Sequence, residues 1–165
     1  MQRTIILLRH ANTERATMGQ ADIARALSAE GYVDAAAAGT FLLNESITPD
    51  CIITSTACRT IQTAEAVAEI LSLDKAMIQQ NEDLYNGTSI AYEEAIYALP
   101  NELNTIMIVG HNPAITSFAN QMISSFNEVV MPKCAMMAVS LDIEDWSSFS
   151  LANKQLSFYY QPHSK

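Results

Sequence analysis

The chain has 165 residues, 49% of them hydrophobic and 16% charged, which is enough for one domain with a real core and too apolar for a disordered tail. Its 18 acidic and 9 basic residues leave a net charge of -9, which disfavours nucleic acid and an anionic membrane as partners. Any phosphate on such a protein must be held by a local basic cluster.

Short apolar runs alternate with segments of helical period, the pattern of an α/β chain. Ile5 to Leu8 reads as the first strand, ending in Arg9 and His10. From Ser28, the residues Tyr32, Ala35, Ala36, Gly39, Leu42 and Leu43 recur at spacings of three and four and predict an amphipathic helix. Asp50 to Thr54, after the breaker Pro49, predicts a second strand, and a helix follows over Cys58 to Leu71, with Ile61, Ala64, Ala68 and Leu71 on one face. Ala76 to Gln80 reads as a short strand, and Tyr92 to Leu99 as a helix stopped by Pro100. Thr105 to Val109 is the strongest strand pattern. After Gly110 and His111, Asn112 is the expected N-cap and Pro113 the first helical residue, with Ile115, Phe118, Ala119, Met122 and Ile123 as the buried stripe. Ala135 to Leu141 and Gln155 to Tyr160 predict two last strands, joined through a polar turn around Asp145 and Trp146. No linker, repeat or low-complexity tract divides the chain, so residues 1–165 are expected to form a single domain.

Cys51, Cys58 and Cys134 are too few and too scattered for a disulfide framework and form no C-x-x-C pair, which suggests packed thiols in a reducing compartment. No run approaches the roughly 20 apolar residues of a membrane span, and the N terminus lacks the order of a signal peptide. A cytoplasmic location is expected.

Open α/β sheets bind ligands at the carboxyl ends of their strands. Arg9 and His10 end the first strand, Arg59 opens the helix after the second, and His111 ends the strongest one. Singly, each reads as a solvated strand end, a surface charge or a turn residue. Together they form a phosphate site with a nucleophilic histidine. Guanidinium groups match phosphate oxygens in fork geometry and stabilise a transferring phosphoryl group. Nearby arginines are expected to depress the His10 pKa and keep its imidazole neutral. The helix start near Asn112 to Ala114 would add backbone N–H groups.

Several stretches are similar to motifs of the histidine phosphatase superfamily, the phosphoglycerate mutase-like proteins, and among them to the short phosphohistidine phosphatases of the SixA type. "LLRHANT" resembles the family's Arg-His strand end, "DIARALSAEG" the stretch opening the next helix, "TSTACRTIQTAE" the Ser-x-x-x-Arg-Thr signature and "IMIVGHNPAI" the second histidine motif. "DLYNGTS" and "MPKCAMMAVSLDIEDW" resemble the short subgroup. The resemblance implies a three-layer α/β/α fold with a central, mostly parallel sheet and no large lid insertion. It implies that His10 is the phosphorylated nucleophile, Arg9 and Arg59 the phosphate clamps and His111 the second histidine, and it requires no metal and no cofactor. Ala11 stands where Gly is frequent in the larger mutases, and Ala16 where an Asn often lines their pocket.

Asn12 and Thr13 follow the nucleophile closely enough to bind substrate, or serve only as turn residues. The general acid is open between Glu82 and Asp83, which lie in the region where larger relatives carry a carboxylate, and no acid at all. A phosphohistidine substrate lessens the need for one, because protonated imidazole leaves readily. Asp22 and Arg25 are expected to pair near the site mouth. The Cys-x5-Arg loop of cysteine phosphatases, the P-loop and clustered metal ligands are all missing from the sequence. Two classes of function stay open: a phosphatase acting on a phosphorylated protein (phosphohistidine) or a small phosphate ester, and a module that binds a phosphorylated group without turnover.

Overall fold

The computed structural model describes residues 1–123 and 128–163. One mixed sheet has the order β3-β2-β4-β1-β5-β6. Its strands are β1 (Gln2–Arg9), β2 (Cys51–Thr54), β3 (Ile78–Gln80), β4 (Thr105–Gly110), β5 (Met136–Asp142) and β6 (Lys154–Tyr160). The first four named neighbours, β3, β2, β4 and β1, run parallel, while β5 is antiparallel to both β1 and β6. The helices are α1 (Ala29–Asn44), α2 (Cys58–Ile70), the one-turn α3 (Asp83–Asn86), α4 (Ser89–Tyr97) and α5 (Ala114–Met122).

Alternation along the strands makes the three layers. Ile6, Leu8, Ile52, Met107 and Val109 pack with Ala35, Ala38 and Leu42 of α1 and Ala64, Val67 and Ala68 of α2. Their neighbours Ile5, Leu7, Ile53, Ile106 and Ile108 pack with Tyr92 and Ile96 of α4, Ile115 and Phe118 of α5, and Trp146 and Phe149 of a 3-10 turn. Central strands buried on both faces explain why the sequence shows continuous apolar runs there. Among the described residues, no helix is long and apolar enough to cross a membrane.

The predicted strands and helices are all present, with local corrections. The stripe assigned to α1 holds at Ala35, Gly39 and Leu42 but is shifted at its flanks: Tyr32 and Leu43 are exposed, and Gly31 and Ala38 are buried in their place. Small residues let α1 lie close to α2, where a Cβ on Gly39 would come within 2.9 Å of Ile70 Cβ. The predicted start of β3 at Ala76 belongs to a 3-10 turn, because Asp74 accepts a hydrogen bond from the Ala76 N–H. α4 begins at Ser89, three residues before its predicted start, with the Thr88 hydroxyl at the cap. α5 is not capped by Asn112. The Asn112 amide donates to Met131 O at 3.1 Å and its Oδ1 accepts from the Thr116 hydroxyl at 2.6 Å, so Pro113 occupies the cap position and the helix opens at Ala114.

Candidate active site

β1 and β4 lie side by side with Arg9 opposite Gly110, so His10 and His111 leave the sheet as neighbours. Their ring centroids are 5.4 Å apart. The backbone of His10 is pinned on both sides, its N–H donating to Gly110 O and its carbonyl accepting from Cys134 N–H, each at 3.1 Å. The next N–H, of Ala11, donates to Thr63 Oγ1 in α2 at 3.1 Å. The strand end is thereby fixed to β4, to the start of β5 and to α2.

His10 is only 7% exposed, and its Nδ1 lies 2.8 Å from Ala11 O. A carbonyl accepts and never donates, so Nδ1 carries the proton and Nε2 keeps its lone pair. Burial is the first cause that lowers the His10 pKa, to about 3, with the charges of His111, Arg59 and Arg9 adding to it and the Ala11 hydrogen bond opposing it. The imidazole is neutral at pH 7, as the sequence suggested, but loss of water outweighs the like charges as the reason.

His111 is equally buried, and burial with Arg59 and Arg9 lowers its pKa to about 4 against an opposing pull from Asp22. Its Nε2 lies 2.5 Å from Ser55 Oγ, its Nδ1 is buried without a partner among the described residues, and its backbone N–H donates to Tyr92 Oη at 3.1 Å. Arg9 reaches Met131 O with one terminal nitrogen at 3.1 Å, while its buried Nε has no partner among the described residues. Arg59, 8% exposed in the first turn of α2, donates to Asp22 O and to Asp22 Oδ2, each at 3.0 Å. Tyr85 Oη also donates to Asp22 Oδ2, at 2.7 Å, and its ring stands edge-on to His111 at 5.7 Å. The Tyr85 hydroxyl, then Arg59, holds the Asp22 carboxyl below the usual carboxylate range. Asp22 joins Arg25 at 3.5 Å, the expected pair, but binds Arg59 as well.

Among the described residues, the buried side-chain polar atoms lacking a partner are Arg9 Nε, Arg25 Nε and His111 Nδ1. Unpaired buried polar groups are costly, and two of these three belong to the four residues gathered at the strand ends. Two guanidinium groups, a free imidazole lone pair and a second imidazole thus come together, a set whose chemistry suits a tetrahedral anion.

The other sequence candidates lie at the edge of this group. Asn12 Nδ2 donates to Ser28 Oγ at 3.2 Å and its Oδ1 accepts from Lys133 Nζ at 3.1 Å, while Thr13 Oγ1 accepts from Arg25 at 2.8 Å. Both side chains are engaged in holding the loop. Glu82 is exposed and lines a surface cleft with Thr56, Gln80, Asn81 and Asp83. Among the described residues its carboxylate makes no hydrogen bond or ion pair with Arg9, His10, Arg59 or His111. No group of three or more His, Cys, Asp or Glu among the described residues is placed to hold a metal ion. Ser55, Asp22, Tyr85 and Tyr92 were not singled out as site residues from sequence. Ser55 was visible as the first residue of the Ser-x-x-x-Arg motif, whereas the meeting of Asp22 with Tyr85 spans 63 positions and leaves no local signal.

No curated protein matches the chain. Similar solved structures include a protein of Nakamurella multipartitia assigned as phosphohistidine phosphatase SixA, at 24% identity and TM-score 0.83, covering 99% of this chain and 98% of that one. One assigned likewise from Agrobacterium tumefaciens shows 26% identity and TM-score 0.81, covering 98% and 99%. A protein histidine phosphatase SixA complexed with tungstate shows 18% identity and TM-score 0.80, covering 94% and 95%. The model of the histidine phosphatase superfamily (branch 1) matches residues 5–93, a stretch that carries Arg9, His10, Asp22 and Arg59 and stops before His111. With that match over more than half its length and His111 brought beside it by β4, the chain belongs to branch 1 of the histidine phosphatase superfamily.

Proposed function

We propose that this protein is a metal-independent phosphatase acting on phosphohistidine in proteins. The observation that carries the reading is the hydrogen bond from His10 Nδ1 to Ala11 O, which leaves Nε2 unprotonated between Arg9, Arg59 and His111. In the first step a bond forms from Nε2 to phosphorus and the substrate's P–N bond breaks, its electron pair going to the departing imidazole. In the second, a water oxygen attacks phosphorus, the bond to Nε2 breaks and inorganic phosphate leaves. Arg9 and Arg59 stabilise the charge on the phosphoryl oxygens in both steps.

Asp22 supports the choice of leaving group. It is the carboxylate in contact with the clamp, and Tyr85 and Arg59 keep it ionised, a poor state for an acid that must protonate an ester oxygen. A protonated imidazole leaves without such help. The near end-to-end coverage of the SixA-type structures supports the same class of substrate.

The test is dephosphorylation of a phosphohistidine protein beside a panel of small phosphate esters, in the presence of a chelator. Turnover of the phosphoprotein, an acid-labile phosphoenzyme and loss of both in His10→Ala are expected. Faster turnover of a small ester would replace the reading with a phosphomonoesterase. Phosphate binding without turnover of any substrate would leave a binding module.

A further inference from the structure

Behind His111 lies a fully buried pair of hydroxyls whose protons can be counted. Ser55 Oγ is 2.5 Å from His111 Nε2 and 2.8 Å from Thr60 Oγ1, and it accepts from the Ala57 N–H at 3.2 Å. Thr60 Oγ1 in turn lies 2.9 Å from Ala57 O and 3.1 Å from Ser55 O. A hydroxyl has one proton and two lone pairs, and a carbonyl only accepts. The Thr60 proton therefore goes to the two carbonyls, since bare oxygens at those distances would repel. Thr60 Oγ1 then accepts the Ser55 proton. Ser55 Oγ is left with two lone pairs, one for the Ala57 N–H and one for a proton on Nε2. This arrangement pairs every contact, and the alternative leaves Thr60 Oγ1 lone pairs against two carbonyl oxygens.

We propose that Ser55 is a positioning residue: oriented by Thr60, it holds His111 as the Nε2–H tautomer, so that Nδ1 faces the site as an empty acceptor and takes up a proton when a phosphoryl dianion binds. The imidazolium formed donates Nε2–H to Ser55 and Nδ1–H to a phosphoryl oxygen, and the proton comes from solvent. The inference rests on the phosphate site of the proposed function. His111 is faced by Arg9 at the end of β1 and His10 just after it, Arg59 from α2, Asp22 from the turn at Asp22–Ala24, the Tyr85 ring from α3 and, at its backbone, Tyr92 from α4. The arginines oppose a proton on the empty site, and a bound dianion reverses that balance.

The probe is tungstate, a tetrahedral dianion that carries no proton of its own at neutral pH. In protein labelled with 15N-histidine, His111 of the empty enzyme should show a protonated Nε2 and an unprotonated Nδ1, with both protonated once tungstate is bound. Calorimetry in two buffers of different ionisation enthalpy should read the proton taken up. Thr60→Val frees the Ser55 proton to turn towards Nε2, so its empty form should switch to the Nδ1–H tautomer, a change that a merely structural hydroxyl would not produce. Ser55→Ala should weaken tungstate binding roughly ten- to a hundredfold, as expected for loss of a hydrogen bond to a charged group. If that variant does not fold, the tautomer in Thr60→Val decides. An Nδ1–H tautomer in the wild-type protein, binding without proton uptake, or an unchanged tautomer in Thr60→Val would each overturn the proposal. No tungstate binding at all would overturn the phosphate site along with it, whereas the stated tautomer without phosphohistidine turnover would overturn the proposed function alone.

Discussion

The two histidines at the joint of β1 and β4 hold no proton on the spare nitrogen at neutral pH, and the cause is chiefly the water they lose. An unfolded histidine titrates near 6.5, so below that value the unfolded chain binds more protons than the folded one. The stabilising contribution is therefore complete above about pH 6.5 and is lost as pH falls towards the folded values of about 3 and about 4. Between pH 7 and pH 5 each buried histidine should cost the fold about 2 kcal/mol. Urea midpoints at the two pH values should show a smaller acid loss in His10→Gln than in the wild type, and equal losses would mean that His10 is not held neutral by the fold. Arg9, His10, Arg59 and His111 were legible because basic side chains are few on so acidic a chain, and these four fall at or just after strand ends. The cause of the pKa shift was not, since burial is a property of the packed molecule. Nor could the sequence tell that the Asn12 and Thr13 side chains are occupied by Lys133 and Arg25.

The turn from β4 to α5 shows how an element aims a side chain. A Cβ on Gly110 would lie 1.9 Å from Tyr92 Oη, the group that accepts the His111 N–H. Only a glycine lets the fully buried tyrosine come that close. Gly110→Ala should lose about 2 kcal/mol of stability through overpacking, and adding Tyr92→Phe should restore part of it. Thermal melts of the single and double variants check this, and a double variant no more stable than Gly110→Ala would refute the steric account. Element existence was readable here because buried strands give short unbroken apolar runs. The flanks of the α1 face were misread, because Tyr32 and Leu43 satisfy a helical period while the helix packs chiefly through its small residues. The start of α5 was misread because Asn112, a fit N-cap by type, is drawn to Met131 and Thr116.

Across the whole molecule the two ends of the sheet have different tasks. At the carboxyl end of β1 Arg9 meets His10, Arg59 and His111, whereas near its amino end Arg3 is almost fully buried. Arg3 donates to the carbonyls of Leu103 at 2.6 Å and Ile143 at 3.3 Å, and its guanidinium lies 4.9 Å from the centre of the Trp146 ring. It fastens the segment after β5 to the loop before β4. Arg3→Ala should cost about 3 kcal/mol, because it leaves buried carbonyls unpaired, and should leave tungstate affinity of the folded protein unchanged. Chemical denaturation and a binding titration on the same sample check both parts, and a stability change below experimental error would show that Arg3 is not structural.

The sequence by itself determined the α/β alternation, the strand ends and the residue types from which a phosphate site can be made, because periodicity and local charge are written along the chain. Only the tertiary structure decided which of those residues meet. Placing β4 between β2 and β1 sets His111 beside His10, the fold of residues 22–25 brings Asp22 onto Arg59, and burial removes the water that would otherwise stabilise the charged form of both imidazoles. Distances and dielectric surroundings arise from packing between distant segments, and no local pattern encodes them.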